Sequence, residues 1–465
     1  MKYIKNKYAR FAVVATIYTL WVIWVGVFWL LIGLGVIFDM YVTQKVNWSP
    51  WKKREGKNHF LIEWLDAIIF FFFSVTIIHT FLFQNYKIPT GSMENSMLIG
   101  DHLYVSKVAY GPKIPETPLS LPLMQNTIFG TTKKSYLEWV KWPYKRLKGL
   151  REVKRNDIVV FNCPALDSVA MSNPTFSYRH EVQQIAEYYR TIDLQQLDTT
   201  YADYLYWKKA EQYLLERTEM VTRPVDRRDN YIKRCVGIPG DSLYISNSQL
   251  FINGKPAVEY PGQLQSYDVY LNQPFSRRSI AKLRKIGIEN SNMEGINNKS
   301  LRQTIHLNKE QAEQLVKYKN VERVTPIIRT NDYHFNFMFP YDPSFNWSED
   351  NFGPIYIPKK GATVDLTLEN LPIYRRIINA YEGNTLKVKD STIYINDKAS
   401  STYTFKMDYY WMMGDNRHSS WDSRSWGYVP EDHIVGRPVF VWLSVDKSES
   451  FPKSIRFNRF FKFVK

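Results

Sequence analysis

The chain has 465 residues, room for two or three ordinary domains, and 45% of them are hydrophobic. Its formal net charge of +16 favours anionic partners. It shows no nucleic-acid-binding module and no dense basic run, which argues against nucleic acid and leaves anionic lipid as the acidic surface. Two cysteines, Cys163 and Cys235, make neither a disulfide framework nor a zinc site, and the sequence leaves their pairing open.

The first element is an apolar run. Phe11 to Phe38 carries no charged residue, and as one helix it would be roughly 40 Å long, more than the bilayer core. A cleaved leader would have a much shorter apolar region followed by small residues. The run is therefore expected to span. Ala67 to Phe83, with four consecutive phenylalanines, is the second expected spanning helix. Orientation follows the basic residues. Lys45, Lys52, Lys53, Arg54 and Lys57 between the runs place that loop in the cytoplasm and everything after Tyr86 outside. Lys2, Lys5, Lys7 and Arg10 would then also lie outside, which conflicts with the rule if the first run crosses once.

From residue 100 onward the chain reads mainly as strands. DHLYVSKVAYG, DIVVFNC, YIKRCVGIPGDSLYISNSQLFING and RPVFVWLSV are rich in β-branched and aromatic residues, with turn residues between them. Helical spacing marks Arg179 to Tyr189, Tyr201 to Met220 and Asn308 to Tyr318, the last opening on Asn308 with Gln311 three residues later, a capping-box pattern. These helices interrupt the β region. Residues 240–257 align without gaps with residues 383–400, and at the same offset Tyr231 meets Tyr374 and Lys233 meets Arg376. RNDIVVF at 155–161 loosely resembles KGATVDL at 360–366. These matches read as a β unit present twice; strand-turn-strand sequences that merely converge are the other reading. WVKWPYKRLKGL at 139–150 reads equally as a membrane-surface patch and as an ordinary aromatic surface segment.

The chemistry centres on Ser92, which follows a Pro-Thr-Gly turn. A serine hydroxyl needs a base to become a nucleophile. His79, His102, His418 and His433 are scattered, with no motif that pairs one with Ser92. Lys233 is the alternative. Strand alternation puts Tyr231, Lys233 and Cys235 on one face and Ile232 and Arg234 on the other, so Lys233 is expected to be partly buried. Burial lowers a lysine pKa. A lysine guarding a strand edge against aggregation fits the pattern too, and the pattern alone leaves both open. If the repeat is a duplication, Arg376 cannot act as a base, because arginine keeps its proton. A third stretch, GDNRHSSWDSRSWGYVP, brings hydroxyls at Ser419, Ser420 and Ser423 and two expected ion pairs, Asp422 with Arg424 and Asp415 with Arg417.

Taken together, PTGSMENSMLIGD, KRNDIVVF, YIKRCVGIPGD and GDNRHSSWDSRSWGYVPEDHIVGR, in this order after apolar helices, closely resemble bacterial type I signal peptidase. The resemblance implies a mainly β fold: N-terminal transmembrane helices, then an antiparallel catalytic region with helical insertions. It implies a membrane-bound serine endopeptidase on the outer (periplasmic) face of the inner membrane. Such an enzyme needs no metal or cofactor. Its partners are the signal peptides of exported preproteins, cut after Ala-x-Ala-type small residues through an acyl-enzyme, and membrane lipids.

Carried over by position, Ser92 matches the nucleophile and Lys233 the general base. The Ser92 N–H and Thr90 hydroxyl match the oxyanion hole, and Ser420 the group that orients the lysine. Asp422 and Arg424 match a bracing ion pair. Ile88, Pro89, Met97, Tyr231 and Ile232 match the substrate-pocket positions.

The expected division is 1–63 for the first spanning helix and basic loop, and 64–86 for the second helix. Segments 87–164, 223–257 and 401–465 form the catalytic core, with insertions at 165–222 and 258–400. The sequence departs from the family pattern at Asn95-Ser96-Met97, where Pro-Thr-Leu is usual. It departs again at Asn156, where Gly is usual, and at His418-Ser419. Two other classes compete: a self-cleaving repressor, which would need a helix-turn-helix and no spanning helices, and a non-enzymatic binder of exported chains.

Overall fold

The computed structural model describes residues 6–464 apart from 27, 49, 52–57, 132, 172, 174–175, 197–202, 290–295, 297–298, 331–337, 343 and 448. Lys2, Lys5, Lys52, Lys53, Arg54, Lys57 and Tyr201 lie outside them.

The first apolar run is two legs, not one long helix. Helix α1 (Lys7–Val25) is capped by the Asn6 side chain and ends at Gly26, whose φ of +69° is the left-handed conformation that suits glycine. The chain then turns back through residues 28–32 into α2 (Gly33–Phe38) and a final turn ending at Thr43. The return leg lies along α1. Phe11 and Phe38 ring centroids are 5.2 Å apart, the Tyr18 hydroxyl donates to Leu30 O at 2.6 Å, and Lys7 Nζ donates to Val42 O at 3.3 Å. The expected 40 Å helix is thus a hairpin whose two ends meet. The second run is a single helix, α3 (Phe60–Phe81), 22 residues and long enough to cross a bilayer.

Helix α3 runs straight into β1 (Phe83–Lys87), and β2 (Asp101–Ser106), β3 (Ile158–Asn162) and β4 (Ser168–Ala170) follow. A helical pair, α4 (Tyr178–Gln196) and α5 (Asp203–Arg217), closes on β5 (Met220–Thr222) around a small core of Val182, Ala186, Tyr206 and Ala210. Strand β6 (Asn230–Gly237) leads to a meander of β7 (Ser242–Ser246), β8 (Gln249–Ile252) and β9 (Lys255–Pro256).

Next comes a compact unit of β10 (Gln265–Leu271), α6 (Arg277–Lys285), β11 (Arg302–Leu307), α7 (Lys309–Val316) and β12 (Val321–Pro326), with its own core around Leu283, Ile305 and Leu315. The expected capping box opens α7. β13 (Phe352–Tyr356), β14 (Thr363–Asp365) and α8 (Leu371–Arg376) precede a second meander, β15 (Leu386–Lys389), β16 (Thr392–Ile395) and β17 (Lys398–Ala399). The chain closes with β18 (Thr402–Thr404), β19 (Tyr409–Met413), α9 (Ser423–Trp426), β20 (Val429–Pro430), β21 (Ile434–Ser444) and β22 (Lys462–Phe463).

The central sheet is antiparallel, in the order β1-β2-β21-β3-β6-β19-β20, with β22 against β21. The architecture is mainly β with helical insertions, as expected. The meanders superpose in detail at an offset of 143 residues. Leu243 faces Ile252 as Leu386 faces Ile395, and Ser246 faces Gln249 as Lys389 faces Thr392. Both turns, Asn247-Ser248 and Asp390-Ser391, take two positive φ values, the hairpin geometry that matches strand twist. Asn253 Oδ1 accepts from Ser242 N as Asn396 Oδ1 accepts from Thr385 N, both at 2.9 Å. The likeness stops upstream. Tyr231 lies on strand β6, whereas Tyr374 and Arg376 lie on helix α8. Arg376 there binds Asp167 and the Pro164 carbonyl.

The meanders share one core with Phe339, Phe352, Trp411 and Tyr428. Trp411 is fully buried and meets Phe339, Phe352 and Tyr428 at centroid distances of 5.8, 5.4 and 5.3 Å. Trp411→Ala is expected to cost roughly 3–5 kcal/mol, measured as the loss of unfolding free energy of the detergent-solubilised protein in urea.

Candidate active site

The chain after β1 cannot continue as a strand. Thr90 is extended, and residues Gly91–Met93 make one tight helical turn. That turn tucks Ser92 inward to 9% exposure and brings it to the middle of β6. There Lys233 Nζ lies 2.6 Å from Ser92 Oγ. Lys233 is 4% exposed. It pairs with Val159 of β3, and its neighbours on the same face, Tyr231 and Cys235, pack with Met412 and Trp426. Burial is the largest influence on its amine, ahead of the opposing pull of Asp422, and brings the pKa from 10.5 down to about 8. Among the described residues no histidine nitrogen bonds to Ser92. His79 lies in α3, His102 against Trp442, and His433, pushed down to about 4 by burial, against Arg228 and Asp432.

The third block closes over this pair. Gly414 passes so close to Ser420 and the Ser92 carbonyl that a Cβ there would overlap both. Asn416 N donates to Ser92 O at 3.1 Å. Asp422 caps α9, accepts from Gly414 N, and pairs through both oxygens with Arg424 at 3.0 and 2.8 Å. Burial works to raise its pKa, but Arg424 holds the carboxyl below the usual range. Ser420 Oγ is buried beside Asp422 with no partner in hydrogen-bond geometry, so no bond joins it to the Lys233 amine.

The remaining expected positions divide. Ile88, Met97 and Ile232 meet in one apolar cluster with Met93. Pro89 and Thr90 are exposed. Tyr231 lies in the other cluster, its ring 5.9 Å from Trp421. Asp415 does not pair with Arg417. Its carboxylate takes Arg234 at 2.8 and 2.7 Å and the Ser96 hydroxyl at 2.5 Å. The reason is strand geometry: Arg234 points to the face of β6 away from Lys233, where Met413 of β19 brings the Asp415 loop alongside. The guanidinium also stacks on Tyr260, 3.9 Å from the ring centroid. The unusual Asn95-Ser96 thus has a local role. Asn95 takes a positive φ of 68° and Ser96 ties the Ser92 turn to Asp415.

Sequence reasoning missed a second anchor. Leu264 bridges the Asp415 loop through Leu264 N to Asp415 O and Arg417 N to Leu264 O, at 2.8 and 2.9 Å. His418 Nδ1 accepts from Ser266 N, so Nε2 carries the proton and donates to Asp350 at 2.9 Å. Both side chains are buried. Only its place beside Gly-Asp-Asn-Arg flagged His418; the Asp350 partner carries no local signal. Cys163 and Cys235 are buried free thiols.

The family model described as "Signal peptidase, peptidase S26" matches residues 61–335 and 401–443. The chain belongs to that family. As a type I signal peptidase it is a serine endopeptidase, and the match omits residues 336–400, which hold the second meander. Similar proteins include the signal peptidase I of Buchnera aphidicola subsp. Acyrthosiphon pisum, 21% identical over 440 residues, covering 93% of each chain. The signal peptidase I of Haemophilus influenzae is 47% identical over 57 residues, 12% of this chain and 16% of that one. Thylakoidal processing peptidase 1 of Arabidopsis thaliana is 32% identical over 88 residues, 16% of this chain and 26% of that one.

Within this signal peptidase, Asp350→Ala leaves the buried His418 donor unmatched, at a cost of about 1–3 kcal/mol. Urea unfolding should register that loss, and amide exchange should accelerate in 414–420.

Proposed function

We propose that the chain cuts signal peptides from exported preproteins after Ala-x-Ala-type residues, with Ser92 as nucleophile and Lys233 as general base. The observation that carries this reading is a buried lysine amine 2.6 Å from a serine hydroxyl. With a pKa of about 8, about a tenth of the amine is neutral at pH 7, against about three parts in ten thousand at 10.5.

Ser92 Oγ attacks the scissile carbonyl while its proton passes to Lys233 Nζ. The Ser92 N–H and the exposed Thr90 hydroxyl donate to the developing oxyanion, each contributing about 3 kcal/mol in sites of this kind. The tetrahedral adduct collapses, the C–N bond breaks, and the ammonium of Lys233 returns the proton to the leaving amine. Water then attacks the Ser92 ester with Lys233 taking its proton, and hydrolysis frees Ser92. We assign Ser420 to hold the lysine amine during these transfers, since its buried hydroxyl lies with the Ser92 carbonyl around Gly414. Asp422 and Arg424 brace that loop.

The substrate is read as an extended strand. Strand β1 has β2 on one side only, and β6 before Arg234 has only β3. A peptide between these free edges would gain main-chain bonds along residues 85–89 and 230–234. Ile88, Met97 and Ile232 then leave shallow apolar pockets that suit small side chains, with Pro89 and Tyr231 at their margins.

The hairpin supports a localisation. Lys7 sits at the Val42 end of the return leg, which favours both ends of the hairpin on one side of the membrane. The basic residues put that side in the cytoplasm, and α3 carries the catalytic region to the outer face. The exposed rings of Phe129 and Trp139, with Leu150, offer apolar surface to lipid.

Two measurements test the mechanism. Ser92→Ala and Lys233→Met should each lower kcat/KM on an Ala-x-Ala precursor in detergent by at least ~10³-fold. The cut site is read by mass spectrometry. Retained cleavage by either variant overturns the dyad. Because the working base is the neutral amine, wild-type kcat/KM should rise about tenfold per pH unit below about 8 and level off above it.

A further inference from the structure

A cavity of about 360 Å³ lies where α3 meets the sheet, away from the dyad. His79 and Thr76 of α3 line its membrane side, Gln84 and Tyr86 of β1 one flank, and Asn230 of β6 the other. Its charged groups are mostly engaged. Lys113 Nζ donates to Asn162 Oδ1 and Asp432 O, both at 2.7 Å. Arg227 donates to Thr117 Oγ1 and O at 2.6 and 2.8 Å. Asp226 accepts from Thr117 N and Oγ1 at 3.0 and 2.9 Å. Burial, with Asp226 nearby, pushes the Glu116 carboxyl up to about 6. Lys107 differs. It lines the cavity, and among the described residues its amine has no hydrogen-bond or ion-pair partner. Burial, with Lys113 adding to it, pulls the Lys107 amine down to about 7. A donor left in this condition gains from an acceptor that enters the cavity.

The position of the cavity tells which acceptor. Asn230 is three residues from Lys233 along β6, and Gln84 four from Ile88 along β1, about 10 and 13 Å at strand rise. A peptide extended between these edges, with its scissile carbonyl at Ser92, reaches the cavity about four to six residues before the cut. The same peptide arrives from the bilayer, on the side that α3 occupies.

We propose that this cavity is a substrate subsite for a hydrogen-bond-accepting side chain four to six residues before the cleavage site, with Lys107 as its donor. The proposal rests on the strand-addition reading of the β1 and β6 edges. It assigns Lys107 to specificity and not to the chemical step. A polar residue there gives the amine an acceptor, whereas a leucine offers none.

The test compares preproteins with Gln or Leu placed at the fourth, fifth or sixth residue before an unchanged Ala-x-Ala site, assayed in neutral detergent. Wild type should cut the best Gln substrate about tenfold more efficiently in kcat/KM than its Leu counterpart, the worth of one hydrogen bond. Lys107→Met should bring the two within about twofold. Lys107→Arg should keep part of the preference. Absence of any Gln preference in wild type overturns the proposal, whatever the variants do. So does a preference that persists in Lys107→Met. An effect of Lys107→Met that appears only when phosphatidylglycerol is added, equal for both substrates, assigns the cavity to a lipid headgroup and also overturns it. Failure of the dyad would look different: Lys233→Met would retain cleavage of both substrates, and the Gln-to-Leu ratio could still be read.

Discussion

The site depends on burying one amine while carboxylates stand close by. Asp422 and Asp415 both act to hold Lys233 as a cation. The fold answers each with an arginine: Arg424 takes both oxygens of Asp422, and Arg234 both oxygens of Asp415. With those charges absorbed locally, burial decides the Lys233 protonation state. The two ion pairs are therefore electrostatic insulation for the lysine as well as braces for the loop. They also explain why Lys233 and Arg234 must be adjacent on one strand. Alternation sends the amine to the serine and the guanidinium to the aspartate on the opposite face.

Ser92, Lys233 and Asp422 come from segments far apart in the chain, and the protein invests in joining them. Ser96 and Asn416 link the Ser92 turn to the third block. Tyr260, Leu264 and Ser266 come from the large insertion, yet they touch Arg234, the Asp415 loop and His418. The unit built on β10 to β12 has its own core and grips the catalytic loop at the same time. It is a wedge against the site, not a distant appendage. A loop with several glycine, serine and asparagine residues pays conformational entropy to be ordered, and these contacts offset that cost.

The membrane portion obeys a related economy. A glycine in the left-handed conformation at Gly26 lets an apolar run fold back on itself, and Gly33 gives the Tyr18 ring room. The distance from the last turn of α3 to Ser92 is set by the short β1 strand.

Much of this was legible in the sequence. Apolar runs, strand alternation through Tyr231–Lys233–Cys235, the capping box at Asn308 and the two-residue turns of both meanders depend on neighbours within a few positions, so their residue types declare them. Alternation grouped Lys233 with Tyr231 and Cys235 but left open whether it was buried or guarded an edge; the structure buries it, and buries Arg234 on the other face as well. Only the tertiary structure decided that Asp415 binds Arg234 instead of Arg417, that His418 is held by Asp350, that the first apolar run doubles back, and that Tyr374 and Arg376 sit on a helix. Each of these turns on which surfaces meet once the chain is folded. Ion-pair choice and backbone direction there are set by the space and solvent exclusion the whole fold creates, quantities that no local stretch of sequence contains.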